Sequence, residues 1–240
     1  VPTITEIAPG VHRISVYVPE IDLQFNHFLV LDDEPLLYHA GMRRMFPVLL
    51  EQVRRLIDPA RIRWIGFSHF EVDECGALNQ WLAAAPSAQA VHGVVGTLVN
   101  LSDFADRPPR ALQADEVFST GTRRFRYRPT PHLPHGWDAG VLFEETDRTL
   151  FCSDLFHHTG DAEPITEGDV IDRTRRAMVS YQAGPLMDYM PYTPNTARLL
   201  GGLAALAPRT LATMHGSAYV GDCAAALRAL DGVMKDVLGR

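Results

Sequence analysis

Four segments far apart in the chain each place a metal-ligating side chain at or just beyond the end of an apolar, strand-like run, and this recurrence limits the fold most. The first is Ile62 to Phe67, followed by Ser68-His69-Phe70-Glu71-Val72-Asp73. The others are Pro131-His132-Leu133-Pro134-His135-Gly136-Trp137-Asp138, Phe151-Cys152-Ser153-Asp154 and Ala212-Thr213-Met214-His215-Gly216. A strand-end Asp or His is usually a cap or a satisfied core group, but four in succession ask for strands whose carboxyl ends share one rim, where sites gather. Alternation puts His69, Glu71 and Asp73 on one side of their loop. An imidazole and two carboxylates converging from so short a segment are costly unless a cation neutralises them.

The pattern between these points supplies the strands. Val11 to Val18 sets Ile14, Val16 and Val18 on one face, and Phe25 to Leu31 with Leu36 to Tyr38 reads as a hairpin turned at Asp32-Asp33-Glu34. Further strands are expected at Ala88 to His92, Glu116 to Phe118, Arg124 to Arg128, Gly140 to Glu144, Thr149 to Cys152 and Thr210 to Met214. Helices are expected at Phe46 to Ile57, Glu74 to Ala84, Val94 to Leu101, Asn195 to Leu206 and Asp222 to Leu238. Residues 157 to 183 show little periodicity and read as a long loop or lid. Each half runs from antiparallel strands into strand-helix units, so two mixed sheets packed face to face with helices outside satisfy the order. The 240 residues suit one large unit spanning 1–240.

Composition removes several functions. A net charge of −7 argues against a nucleic-acid or anionic-lipid surface, and no apolar run approaches the roughly 20 residues that span a bilayer. Cys75, Cys152 and Cys223 are widely spaced and odd in number, which fits reduced thiols and a cytoplasmic setting.

The ligand order resembles the metallo-β-lactamase superfamily, and His69-x-Glu71-x-Asp73 is similar to its diiron branch: flavodiiron proteins and the related single-domain oxygen-binding diiron proteins. His135-Gly136-Trp137-Asp138 keeps the His-to-Asp step of that branch, which favours His135 over His132. The resemblance implies a four-layer αββα sandwich of two mixed β-sheets flanked by helices. It implies that His69, Glu71 and His135 hold one metal, that Asp154 bridges, and that Asp73 and His215 hold the second. It implies two irons, with manganese or zinc as alternatives; Glu71 in place of an imidazole makes the site harder and favours iron or manganese. The activity implied is binding of O2 or NO, as a sensor or as a reductase served by a separate electron-transfer protein, in a homodimer. The rival reading is a dinuclear zinc hydrolase acting on an ester, lactone, thioester or phosphodiester.

Several positions depart from the branch. Glu74 stands where a further His is usual, and two readings are open: a carboxylate ligand of the second metal, or an exposed first-turn residue favoured by the helix dipole. His39, in Leu37-Tyr38-His39-Ala40-Gly41, is a candidate for orienting a ligand from behind, and His27 for gating or hydrogen-bonding a diatomic; a packed strand histidine is the plainer reading of each. Tyr219 is a candidate hydroxyl near His215, while His157 and His158 read as solvent-facing loop residues. Tyr181, Met187, Tyr189, Met190 and Tyr192 form an aromatic-methionine group that could line a pocket or pack in a core. No Gly-rich phosphate loop or other FMN site is evident in the sequence.

Overall fold

The computed structural model describes residues 1–239. Two seven-stranded sheets carry the structure. The first runs in sequence order: β1 (Thr3–Ala8), β2 (Val11–Val18), β3 (Leu23–Val30), β4 (Leu36–Tyr38), β5 (Trp64–Gly66), β6 (Gln89–Gly93) and β7 (Arg110–Leu112). Its pairs are antiparallel from β1 to β4 and parallel from β4 to β7. The second holds β8 (Val117–Ser119), β9 (Arg124–Pro129), β10 (Gly140–Glu144), β11 (Thr149–Ser153), β12 (Ile165–Thr166), β13 (Thr210–Thr213) and β14 (Ala218–Val220), in the order β12-β14-β13-β11-β10-β9-β8. Both sheets are mixed, with β11 and β13 parallel at the centre of the second.

The sheets face each other through an aromatic layer in which Phe28 and Tyr38 of the first meet Phe151 of the second at 5.5 and 5.2 Å between ring centroids. On the outer face of the first sheet lie α1 (Phe46–Arg54), the single turn α2 (Val72–Cys75) and α3 (Leu78–Ala84). Leu49, Val53, Leu78 and Trp81 pack there against Ile14, Leu29, Leu37 and Ile65. Next come α4 (Val94–Gly96) and α5 (Ser102–Phe104), joined by a π-helical turn at Thr97–Leu101. The outer face of the second sheet is covered by α6 (Val170–Gln182), α7 (Thr196–Ala205) and α8 (Cys223–Leu238). The result is the four-layer αββα arrangement that the resemblance implied and the element order allowed.

Two expectations are corrected. Residues 157–183 are not a loop throughout, since α6 occupies their second half. Asp169 caps it by accepting from Asp172 N at 2.9 Å. Its buried face is Val170, Thr174, Ala177 and Met178, at helical spacing but half built from small or hydroxylated side chains. The Glu74 to Ala84 helix is broken at Gly76-Ala77 into α2 and α3.

Candidate metal centre

The centre lies at the carboxyl ends of β5, β11 and β13, closed by the loop between β9 and β10. After β5 come Phe67 and Ser68, both buried, and the chain bends from Ser68 to present His69. Glu71 is the extended residue before α2, so its side chain projects from the helix start while Asp73 follows within the first turn. β11 ends in Ser153 with φ of 53°, a left-handed bend that turns Asp154 into the space between the sheets. Gly216, at φ of 96°, lets β13 turn at once after His215, and any Cβ there would lie 2.4 Å from the His158 ring.

The side chains converge in two groups around one carboxylate. Glu71 Oε2 lies 2.9 Å from His69 Nε2 and 2.8 Å from His135 Nε2. Asp154 Oδ2 is 3.6 Å from each of the same two nitrogens. Its other oxygen, Oδ1, is 3.3 Å from His215 Nε2, which in turn is 3.5 Å from Asp73 Oδ2. One ligand atom from each of His69, Glu71, His135 and Asp154 falls within 4.8 Å of all the others. Asp154 therefore faces one group with each oxygen.

The electrostatics fit cations held between these groups. Burial works against a charged His69, yet Glu74, Glu71 and Asp154 outweigh it and raise its pKa to about 10. Burial likewise opposes charge on His215, and Asp154 and Asp73 raise it to about 10. Hydrogen bonds from His135 and His69 hold Glu71 down at about 2. Burial pushes Asp154 up, but His215, His69 and His135 together hold it far below the usual carboxylate range. Asp73 is raised, chiefly by burial. Three carboxylates thus crowd one site whose only positive charge comes from protons on histidines. Asp154 Oδ1 and Asp73 Oδ1 are buried without a hydrogen-bond donor, an arrangement that costs free energy unless a cation takes the lone pairs. The donor set fits two divalent metals.

Behind the ligands, backbone carbonyls and carboxylates fix ring orientation. His215 Nδ1–H donates to Gln24 O at 2.8 Å, leaving Nε2 to face Asp154. Asp138 Oδ2 accepts from Phe70 N at 3.1 Å and sits 3.4 Å from His92 Nε2, tying the His135 loop to the His69 loop.

The expected residues divide clearly. His69, Glu71, Asp73, His135, Asp154 and His215 come together, whereas His132 is exposed on its loop at φ of 63°. Glu74 takes neither expected place. It is fully buried rather than exposed, and its carboxylate turns beneath His69 to accept from Ser68 N at 2.5 Å, Ser68 Oγ at 2.9 Å and Ser153 Oγ at 2.5 Å. His39 is buried behind the site, with Nε2 3.6 Å from Glu74 Oε1 and Nδ1–H donating to Asn26 O at 3.1 Å. His27 donates from Nδ1 to His39 O at 3.0 Å and packs against Gly41, so it does not line the cavity over the site. Tyr219 stands beside Gly221 and Cys223 in the core under α8, also outside that lining.

A cavity of about 470 Å³ opens over the ligands. Leu23, Phe25, Val72 and Leu186 give it apolar walls, and Tyr181, Tyr189 and His157 reach it from above. His157 corrects its reading as a solvent-facing residue. It is 2 % exposed, its Nε2 lies 2.8 Å from Tyr189 Oη, and its ring stacks on Tyr181 at 5.1 Å. His158 is buried too, accepting from Ser217 N at 3.1 Å. Sequence reading missed both because nothing periodic surrounds them. Of the aromatic-methionine group, Met190 enters the core and Met187 is exposed.

Residues 23–216 match the family described as ODP family beta lactamase. The chain belongs to that family. This ODP-family chain is 26% identical over 200 residues to the rubredoxin-oxygen oxidoreductase of Megalodesulfovibrio gigas, covering 82% of its own length and 49% of the relative's. It is 24% identical over 202 residues to a flavo-diiron protein of Clostridium acetobutylicum, covering 82% of itself and 50% of that protein. The ODP-family chain therefore spans about half the length of the curated relatives it matches. Among solved structures, rubredoxin oxygen:oxidoreductase from Desulfovibrio gigas superposes with a TM-score of 0.82 at 22% identity, over 96% of this chain and 61% of that one. At that identity the match speaks to the fold.

Proposed function

We propose that this ODP-family chain holds a non-haem diiron centre that binds and reduces O2 or NO with electrons from a separate donor. The observation that carries the reading is Asp154, whose two oxygens face His69 and His135 on one side and His215 on the other. In this reading His69, Glu71 and His135 hold the first iron, Asp73 and His215 the second, and Asp154 is shared. Bound iron would supply the change of oxidation state that reduction of a diatomic requires.

The chain's own residues do the rest. Three carboxylates supply three negative charges against the four positive charges of two ferrous ions, and oxygen donors of this kind suit iron better than zinc. The apolar walls from Leu23, Phe25 and Leu186 admit a small uncharged molecule without a desolvation cost. The Tyr189 hydroxyl, 2.8 Å from His157 Nε2, is a hydrogen-bonding group within the cavity, able to hold a ligand's distal atom or deliver a proton to it. The two sheets share an aromatic core and enclose one site, which supports reading residues 1–240 as one unit. Val95, Leu98 and Val99 leave large apolar side chains exposed on the helical segment after β6, which supports the expected homodimer. Among the described residues no helix is long and apolar enough to cross a membrane.

The test is anaerobic reconstitution with ferrous iron followed by titration with NO and, separately, with O2. About two irons per chain and an optical change saturating with either gas are expected. Retention of zinc under iron-rich conditions, with turnover of an ester or lactone and no response to either gas, sinks the proposal.

A further inference from the structure

Glu74 is a buried carboxylate that neither cation group uses, standing where the ligand pattern would put a histidine. One oxygen, Oε1, accepts from both Ser68 Oγ at 2.9 Å and Ser153 Oγ at 2.5 Å, while Oε2 accepts from the backbone N–H of Ser68. Ser68 Oγ also lies 2.8 Å from His69 Nδ1, and the two serine hydroxyls are 2.5 Å apart. Each hydroxyl has one proton, and an ionised carboxylate can only accept. Both serine protons must therefore run toward Glu74, directly or through one another. That leaves a lone pair on Ser68 Oγ for His69, and only a proton on Nδ1 can fill it. With Nδ1 protonated, the lone pair of a neutral His69 is on Nε2, the atom facing Glu71 and Asp154.

We propose that Glu74 is a positioning residue: through Ser68 and Ser153 it fixes the polarity of a buried hydrogen-bond chain, so that His69 presents Nε2 to the first cation. The inference rests on the diiron reading only in needing a cation at that group, whatever its identity. It makes the two cation sites unequal. The first would gain a ligand held by a buried charge, and the second would rely on Asp73, His215 and the shared Asp154.

Glutamine at position 74 has the same shape and reverses the chain. Its carbonyl must stay on the Ser68 N–H, so its amide N–H groups meet the serine hydroxyls. Ser68 is then free to donate to His69 Nδ1, which selects the tautomer whose proton blocks Nε2. The metal-free 240-residue chain titrated with Co2+ reads this without any turnover, because Co2+ gives a d–d spectrum sensitive to each ligand. The wild type should bind two Co2+ in resolved steps. Glu74→Gln should weaken the step assigned to His69, Glu71 and His135 by about 10- to 100-fold, as loss of an outer partner does, and leave the other step within a few-fold. Ser68→Ala, which cuts the chain but keeps the charge, should weaken the same step, and it carries the test if the Gln variant does not fold. His69→Ala and Asp73→Ala assign the two steps. Equal loss at both sites, loss confined to the Asp73 site, or two unchanged steps in both variants would overturn the proposal. The diiron reading fails separately, through metal identity and gas binding.

Discussion

In the proposed centre protons and metals compete for His69 and His215, and the structure sets the size of the contest. Both imidazoles are raised to about 10 in the metal-free protein, despite burial that opposes their charge, because the carboxylates around them prevail. At pH 7 a proton three units below its pKa is held by about 4 kcal/mol, so loading both sites displaces protons worth about 8 kcal/mol. The overall association constant for two divalent cations should then rise with the square of hydroxide activity, about 10⁴-fold between pH 6.5 and 8.5. Stability of the metal-free protein runs the other way. A histidine whose pKa rises from 6.5 to about 10 on folding contributes stability that is complete below pH 6.5 and lost as pH climbs toward 10. The metal-free melting temperature should fall across that window, whereas the loaded protein should be much flatter. Chelator competition with Mn2+ at a series of pH values, and calorimetric proton counting in buffers of different ionisation enthalpy, measure this. Release of fewer than one proton per chain, or an affinity that moves less than tenfold over those two pH units, would refute the reasoning.

Other substitutions separate the parts of the site. Asp154→Ala should lose both cations, while Asp73→Ala should lose mainly the second, as metal analysis after dialysis reads directly. His135→Ala should empty the first site and His132→Ala should leave both filled; the reverse would reassign that loop. Trp81 is fully buried in α3 and its Nε1–H donates to Ala40 O at 2.8 Å, so Trp81→Ala should cost about 3–5 kcal/mol in urea unfolding.

Much of the candidate centre was legible because its converging side chains sit at strand ends, where an apolar run stops on a polar residue. His69, Glu71 and Asp73 alternate on a short loop, and Asp154 and His215 each close a buried strand. What could not be read was direction. A glutamate in the first turn of a helix ordinarily faces water, but α2 is a single turn folded back under β5, so the Glu74 side chain runs inward beneath His69. The available signal was a serine just before His69 and another just before Asp154, both buried in the structure. α6 escaped notice because Thr174 and Ala177 fill its buried face and three arginines interrupt the apolar count. The edge strands β1, β7 and β12, and β14 beside the last, are too short or too polar to show a period of two. His157 and His158 lie just past a sharp bend at Phe156, φ of 64°, whose inward turn no periodicity records.

Anomalous diffraction at the iron edge from crystals grown of iron-loaded protein tests the two-cation centre most directly. Two peaks about 3.5–4 Å apart, one among His69, Glu71 and His135 and the other against Asp73 and His215, with an Asp154 oxygen on each, is the predicted result. A single peak, with His215 hydrogen-bonded directly to Asp154 and Asp73 and no metal between them, would contradict it.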